Sequence, residues 1–131
     1  MNTFKKEERL CSKKSLDLLF KKGSSFLFYP FRVTYLSVPQ SHDFPVQVVI
    51  NVAKKRYKRA VDRNLIKRLT KEAYRKQKQE LLYDHLSIPQ TVLLLSVQYV
   101  GKEIYSYALF EKKMNGMLKK LIQNMAENGN N

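Results

Sequence analysis

One basic segment, "KKRYKRAVDRNLIKRLTKEAYRKQK" from Lys54 to Lys78, constrains the fold more than any other part of the chain. Twelve of its 25 residues are Lys or Arg and only Asp62 and Glu72 are acidic, so it carries +10 of the net charge of +14. Like charge at this density opposes folding unless the segment forms a two-faced element with one side against a core. The surplus predicts a polyanionic partner. Nucleic acid is favoured, because a membrane partner would require a basic amphipathic helix that exposes Trp, Phe or Leu to lipid.

Helical periodicity begins in this segment at about Val61. At about 100° per residue, the apolar side chains form a predicted core face that is about 100° wide. That face contains Leu65, Ile66, Leu69 and Ala73. The opposite arc carries cations at i, i+4 spacing, where like pairs cost a helix about 0.2–0.5 kcal/mol each. A merely solvated face usually alternates in sign, so this arc is predicted to contact phosphates.

The candidate phosphate-binding residues come from the helical arc and from the loop before it. They are Lys54, Lys55, Arg56, Lys58, Arg59, Arg63, Asn64, Lys67, Arg68, Lys71 and Arg75. Tyr74 and Lys78 fall in the same arc of the predicted helix.

The remaining sequence predicts three strands before this helix and one after it. A further helix is predicted before the first strand and another after the last strand. Ser12 is a candidate N-cap of the first helix, and Gly23 suits the residue after its end. The predicted strands lie in "SSFLFYPF", in "FRVTYLSV", at 46–53 and in "TVLLLSV", the last being typical of a central strand. An amphipathic helix from about Ser106 places Phe110, Met114, Met117, Leu118, Leu121 and Met125 on one face.

The order α-β-β-β-α-β-α predicts an α+β two-layer sandwich with a four-stranded mixed sheet. The length and the absence of a linker predict a single domain over residues 1–125, followed by a disordered tail at 126–131. With one cysteine and no apolar run of membrane length, the chain is expected to be cytoplasmic.

The sequence predicts no catalytic or metal-binding site on the protein. His42 and His85 lie far apart in polar connectors, and Cys11 is the single cysteine. No acidic pair has the spacing of a metal site or a general acid–base pair, and no phosphate-binding glycine loop occurs.

The helix motif "KRAVDRNLIKRLTKEAYR" resembles the signature of the bacterial ribonuclease P protein component family, K-x-A-V-x-R-N-R-x-K-R-x-x-R-E. The identical positions are Ala60, Val61, Arg63, Asn64, Lys67, Arg68 and Glu72. The resemblance extends over roughly residues 9–122. Leu65 stands where the family signature has Arg, and it is expected to pack at the border of the core face.

The resemblance implies a division of labour between RNA and protein. The RNA subunit would hydrolyse the phosphodiester bond with Mg²⁺ bound mainly by RNA, releasing the 5′ leader of precursor tRNA, and the protein would hold no cofactor of its own. The motif helix would bind the RNA subunit. A cleft between the sheet and the first helix would take the single-stranded leader, at positions that correspond to Leu16, Phe20 and Tyr35. The implied fold is that of ribosomal protein S5 domain 2, with a left-handed β-α-β crossover.

Two other functions compete with this one. A non-catalytic RNA-binding module of the ribosomal or RNA-chaperone type has the same composition and charge, and only the motif separates it from the first interpretation. A double-stranded DNA binder would need a partner helix directly before the basic helix, whereas a strand is predicted there.

Overall fold

The computed structural model describes residues 8–39, 44–86 and 91–128, and the predicted order of elements is confirmed. Its elements are α1 (Lys13–Lys22), β1 (Ser24–Phe28), β2 (Phe31–Pro39), β3 (Val46–Val52), α2 (Ala60–Leu81), a 3-10 turn (Tyr83–His85), β4 (Thr91–Tyr99) and α3 (Tyr107–Asn128). Helix α3 therefore continues three residues past the domain boundary expected at 125. Residues 129–131, and parts of the connectors predicted at 38–45 and 84–90, lie outside the described residues.

The four strands form one mixed sheet in the order β1-β2-β4-β3. Strand β2 pairs antiparallel with both β1 and β4, while β3 and β4 run parallel and are joined through α2. The apolar strand β4 is central, as its sequence predicts. Strand β3 was expected to be deeply buried but is only partly so, because it lies at the edge of the sheet. The N-terminal segment covers that edge: Leu10 N donates to Val48 O at 2.9 Å.

The main core lies between one face of the sheet and the helices α2 and α3. Alternate residues of β2, β3 and β4 enter it, among them Phe31, Val33 and Tyr35, which share a face as predicted. Helix α3 contributes its predicted stripe, of which Phe110, Met114, Met117, Leu118 and Leu121 are buried and Met125 is partly buried. Gly116 lets α3 approach β1 closely, because a Cβ there would lie 2.9 Å from Cε1 of Phe28.

Helix α1 packs on the opposite face of the sheet and covers only part of it. Ser12 caps it as predicted, since its Oγ accepts from Ser15 N at 3.3 Å. Leu19 is fully buried in a second apolar cluster with Leu94 of β4. Gly23 ends the helix with an extended backbone, so no left-handed turn explains the glycine. It is required by space: a Cβ there would clash with Leu19 O and lie 2.9 Å from Tyr35 O.

Of the helices in the described ranges, none is long and apolar enough to cross a membrane.

Candidate nucleic-acid interface

Helix α2 buries a face that overlaps only in part with the one that periodicity predicted. Its buried side chains are Ile66, Thr70, Ala73, Tyr74 and Lys78. Of the predicted core residues, Ile66 and Ala73 are buried, whereas Leu65 and Leu69 are only partly buried. The true core face is rotated by about 100° around the helix axis. Thr70 and Lys78 can enter the core because their polar groups have partners. The Thr70 hydroxyl, for example, donates to Ile66 O at 2.8 Å.

Lys78 shows most clearly why the rotation is possible. Its ammonium pairs with the carboxylate of Glu8, and both side chains are almost completely buried. The hydroxyl of Tyr83 donates to the same Glu8 oxygen, Oε2. Burial, followed by the nearby Tyr74 and Glu8, raises the pKa of Tyr83, so that the phenol stays protonated and keeps donating. The N-terminal segment thus supplies the counter-charge for a lysine that the sequence pattern had assigned to the cation arc.

Two of the predicted phosphate-binding cations are already engaged within the protein. The Arg63 Nη1 donates to the carbonyl oxygens of Tyr57 and Lys58, at 2.8 Å each. Arg63 therefore fastens the basic loop to the start of α2. Arg75 pairs with Glu72, its Nε lying 3.0 Å from Glu72 Oε2, and this contact lowers the pKa of the Glu72 carboxyl. Arg75 therefore contributes less free charge to the surface than predicted, and Arg63 keeps its charge but has fewer donors available for a phosphate.

The other nine predicted residues are all exposed and belong to one loop and one helix; we call them the basic face. They are Lys54, Lys55, Arg56, Lys58, Arg59, Asn64, Lys67, Arg68 and Lys71. Arg59 lies 3.9 Å from Asp62, too far and too exposed for a strong pair. Such a surface is held in place by α2 and is available to successive phosphates of an RNA strand.

Leu65 does not pack in the core, and the expectation that it would do so was wrong. It is partly exposed and borders a shallow depression with Val61, Asn64 and Arg68. The replacement of the family arginine therefore puts an apolar patch in the middle of the basic face. Leu65 lies at the surface because α2 is rotated about its axis relative to the predicted orientation.

Arg9 is a residue of this region that the sequence analysis did not assign. The N-terminal segment runs parallel to β3, with Arg9 paired to Val48. A groove beside α2 is lined by Arg9, Lys67 and Lys71 together with apolar residues of β3. No local pattern reveals this juxtaposition, because it depends on where the segment docks.

The uncovered part of the α1 side of the sheet forms an open depression, which we call the sheet cleft. Its lining residues are Phe20, Gly23, Ser25, Arg32, Thr34, Asn51, Ser96 and Gln98. The strand register explains the floor: Thr34 lies between Ser25 and Ser96, and Gln98 lies between Arg32 and Asn51. The Phe20 ring is 59% exposed at the border. The cleft thus combines hydrogen-bonding groups, one cation and one accessible aromatic ring.

Of the three predicted leader-binding residues, only Phe20 lies at this cleft. Tyr35 points to the other face of the sheet, is 8% exposed, and packs edge-on against Phe26 with ring centroids 6.1 Å apart. Leu16 packs beneath α1 in the second apolar cluster. The correction follows from the two-residue period of a strand, because Thr34, one position earlier, occupies the cleft floor.

A signal for the cleft floor does exist in the sequence. On the α1 face, the even-numbered positions of β2 change from Arg32 and Thr34 to apolar residues, and those of β4 change from apolar residues to Ser96 and Gln98. One half of this face is therefore apolar and covered by α1, and the other half is polar and open. Reading both strands together would have identified it.

His42 lies outside the described residues, and His85 belongs to the short turn after α2. Within the described ranges, no three His, Cys, Asp or Glu side chains come together in a group that could hold a metal ion. The basic face and the sheet cleft together define the class of this protein. It is a basic α+β protein that binds nucleic acid.

Comparison with known proteins specifies the class further. The family model described as Ribonuclease P matches residues 4–122. The ribonuclease P protein component of Porphyromonas gingivalis is 34% identical over 120 residues, covering 92% of this chain and 87% of that protein. The ribonuclease P protein component of Petrotoga mobilis is 38% identical over 94 residues, covering 70% and 75% of the two chains. The chain belongs to the ribonuclease P protein family.

Solved structures agree with this assignment. The RNase P protein from Thermotoga maritima has a TM-score of 0.65 at 25% identity, over 86% of this chain and 96% of that one. The RNase P protein of Staphylococcus aureus, at 20% identity and a TM-score of 0.64, shows the same fold over 88% of this chain and 96% of its own.

Proposed function

We propose that this protein binds two RNAs through two separate surfaces: the RNA subunit of ribonuclease P through the basic face, and the 5′ leader of precursor tRNA through the sheet cleft. As a member of its family it is the RNA-binding subunit of the holoenzyme that removes that leader. The assignment of the two surfaces to the two RNAs is what the family resemblance implies, and the exposure of the two surfaces supports it.

The observation that carries the first assignment is the exposure of the whole basic face on one loop and one helix. Among the described residues, the side chains of Asn64, Lys67 and Arg68 make no hydrogen bond or ion pair within the protein, so their side-chain donors are available. Each phosphate neutralised by such a cation releases a condensed counterion, which favours binding. An A-form RNA helix suits this surface, since side chains recognise it mainly through its backbone and shape.

The sheet cleft fits a single strand better than a duplex. Unpaired bases can stack on an exposed ring such as Phe20, and they present edges to hydrogen-bonding groups such as those of Thr34 and Gln98. Arg32 in the same floor supplies a charge for a phosphate. The leader is the single-stranded part of the substrate, and therefore the cleft is its proposed site.

In this proposal, the RNA subunit catalyses the hydrolysis of the phosphodiester bond. Mg²⁺ held by RNA would activate the attacking water and stabilise the leaving oxygen. The protein would contribute affinity and position. Its effect should therefore be largest when Mg²⁺ is scarce, because the protein's cations then replace part of the screening that the metal provides.

Reconstitution tests the proposal. The protein is added to its organism's ribonuclease P RNA and a precursor tRNA at low Mg²⁺, and leader removal is followed in single-turnover experiments. We expect faster cleavage and tighter binding of precursor than of mature tRNA. RNA binding without any stimulation of cleavage would instead support the ribosomal or RNA-chaperone alternative. A DNA-binding role has less support, because strand β3, and no partner helix, precedes the basic loop and α2.

A further inference from the structure

Apolar side chains are exposed along the β1 edge of the sheet cleft and continue beyond it. Leu27 lies directly opposite Arg32 in the strand register, so it shares the open face, and it is 58% exposed. Tyr29 follows in the turn between β1 and β2 and is 41% exposed. With Phe20 at the other end, these side chains border the cleft from α1 to the hairpin turn.

The Tyr29 phenol is held in a defined position by the loop after β4. Its oxygen accepts from Lys102 N at 2.9 Å and lies 2.9 Å from the hydroxyl oxygen of Tyr105. The two rings meet edge-on at 6.3 Å. Within the described part of the chain, the hydroxyls of Tyr29 and Tyr105 make no other hydrogen bond. Two hydroxyls that share one hydrogen bond leave one O–H donor unused, whichever of them donates.

The charges around this pair favour an anion. The hydrogen bond shared with Tyr105 and the one from Lys102 N, together with the positive charges of Lys102 and Arg56, lower the pKa of Tyr29. The carboxylate of Glu103 acts in the other direction, on Tyr105, whose pKa is about 12 mainly because of its hydrogen bond with Tyr29. Arg56 belongs to the basic face. The hydroxyl of its neighbour Tyr57 donates to Gly101 O at 2.8 Å, so the basic loop lies against the loop that holds Tyr29.

We propose that Leu27, Tyr29 and Tyr105 form an additional subsite for single-stranded RNA, in which a base stacks on the Tyr29 ring and the spare tyrosine hydroxyl donates to a phosphate. This inference rests on the proposed function, since the RNA is the strand that occupies the sheet cleft. A single strand is the occupant because the surface offers a ring, a donor and nearby cations in sequence, the combination that successive nucleotides need. Arg56 and Lys102 provide the charge complementarity.

The subsite extends the path of the strand beyond the cleft, so its contribution should depend on leader length. Precursor tRNAs with a graded series of leader lengths are bound to the reconstituted holoenzyme, with mature tRNA as reference. Tyr29→Ala should weaken binding of long-leader substrates by about fivefold to a hundredfold, the range for loss of one base–aromatic stack. Leaders too short to reach the turn, and mature tRNA, should bind as they do to the wild type.

A second variant separates the hydroxyls from the rings. The double substitution Tyr29→Phe with Tyr105→Phe keeps both rings and removes both donors, and it should weaken long-leader binding by about twofold to tenfold. Leu18→Ala is the matched control, because Leu18 is exposed on the outer side of α1. It should leave every affinity unchanged. Thermal unfolding and the affinity for the RNA subunit alone verify that each variant is folded.

The outcomes are distinguishable. If the wild-type holoenzyme binds all leader lengths equally, the leader assignment of the cleft fails and the subsite fails with it. If the wild type prefers long leaders while both tyrosine variants behave like it, only the subsite is overturned. Equal weakening for precursor and mature tRNA would also overturn it.

Discussion

At Leu65, one residue changes the chemistry of the surface that the family motif defines. An arginine there would face the same direction as Asn64 and Arg68, because all three border one depression on α2. Leucine instead offers apolar area next to Val61. The RNA surface of this protein is therefore less cationic at its centre than the family signature implies.

Introducing the arginine of the family signature at position 65 measures how much that residue would add to RNA binding. Leu65→Arg should tighten binding to the RNA subunit at low salt and steepen the slope of log K against log[salt] by about 0.7–0.9, the contribution of one phosphate contact. Leu65→Met, which changes shape without charge, is the control. An unchanged slope in Leu65→Arg would mean that position 65 does not approach a phosphate.

Tyr35 and Thr34 are neighbours in sequence with opposite roles. Tyr35→Ala removes a buried ring that packs on Phe26 and should lower the free energy of unfolding by about 3–5 kcal/mol. Thr34→Ala, on the cleft floor, should cost much less stability and should weaken precursor tRNA more than mature tRNA. Urea unfolding and the two affinities, measured on both variants, provide the check. A stable Tyr35→Ala protein with a specific loss of leader binding would reverse the assignment.

At the scale of elements, the orientation of α2 decides which of its residues reach solvent. The predicted apolar face has one side at Leu65 and another at Ile66 and Ala73, and periodicity alone does not decide which side is buried. Contacts with other parts of the fold decide which side of α2 is buried. The Nε2 of Gln77 donates to Glu111 O of α3 at 2.9 Å, and Glu8 neutralises Lys78.

The Glu8–Lys78 pair is predicted to be the strongest polar contact that holds this orientation. Lys78→Ala would leave the Glu8 carboxylate buried without its counter-charge, at a cost of about 3–5 kcal/mol. The comparison is Glu72→Ala, which breaks the partly exposed pair with Arg75 on the same helix and should cost less than about 1 kcal/mol. Chemical denaturation of both variants distinguishes them. Similar losses for the two would show that burial does not govern the strength of these pairs.

For the whole molecule, the uneven distribution of charge predicts the thermodynamics of binding. The basic face places its cations on one loop and one helix, so RNA affinity should fall steeply with salt, with a slope of about −0.7 to −0.9 for each phosphate contact. If six to eight contacts form, the total slope is about −4 to −7. A slope near −1 would contradict the proposed surface.

The same measurement tests a single member of the face. Arg68→Ala should reduce the slope by about one contact and weaken binding to the RNA subunit without unfolding the protein. Lys119→Ala removes an equal charge from an exposed position on α3 and should leave the slope almost unchanged. Equal effects of the two substitutions would indicate that net charge alone, without a defined surface, drives association.

By itself, the sequence determined the number, type and order of elements, the central position of β4, the apolar stripe of α3 and the concentration of charge on one loop and helix. Those features are local, since they follow from the periods of helices and strands and from composition. Only the tertiary structure decided the rotation of α2, the burial of Lys78, the exposure of Leu65 and the choice of Thr34 over Tyr35 in the cleft. Each of these depends on partners distant in the chain, such as Glu8 for Lys78, which no local pattern reports.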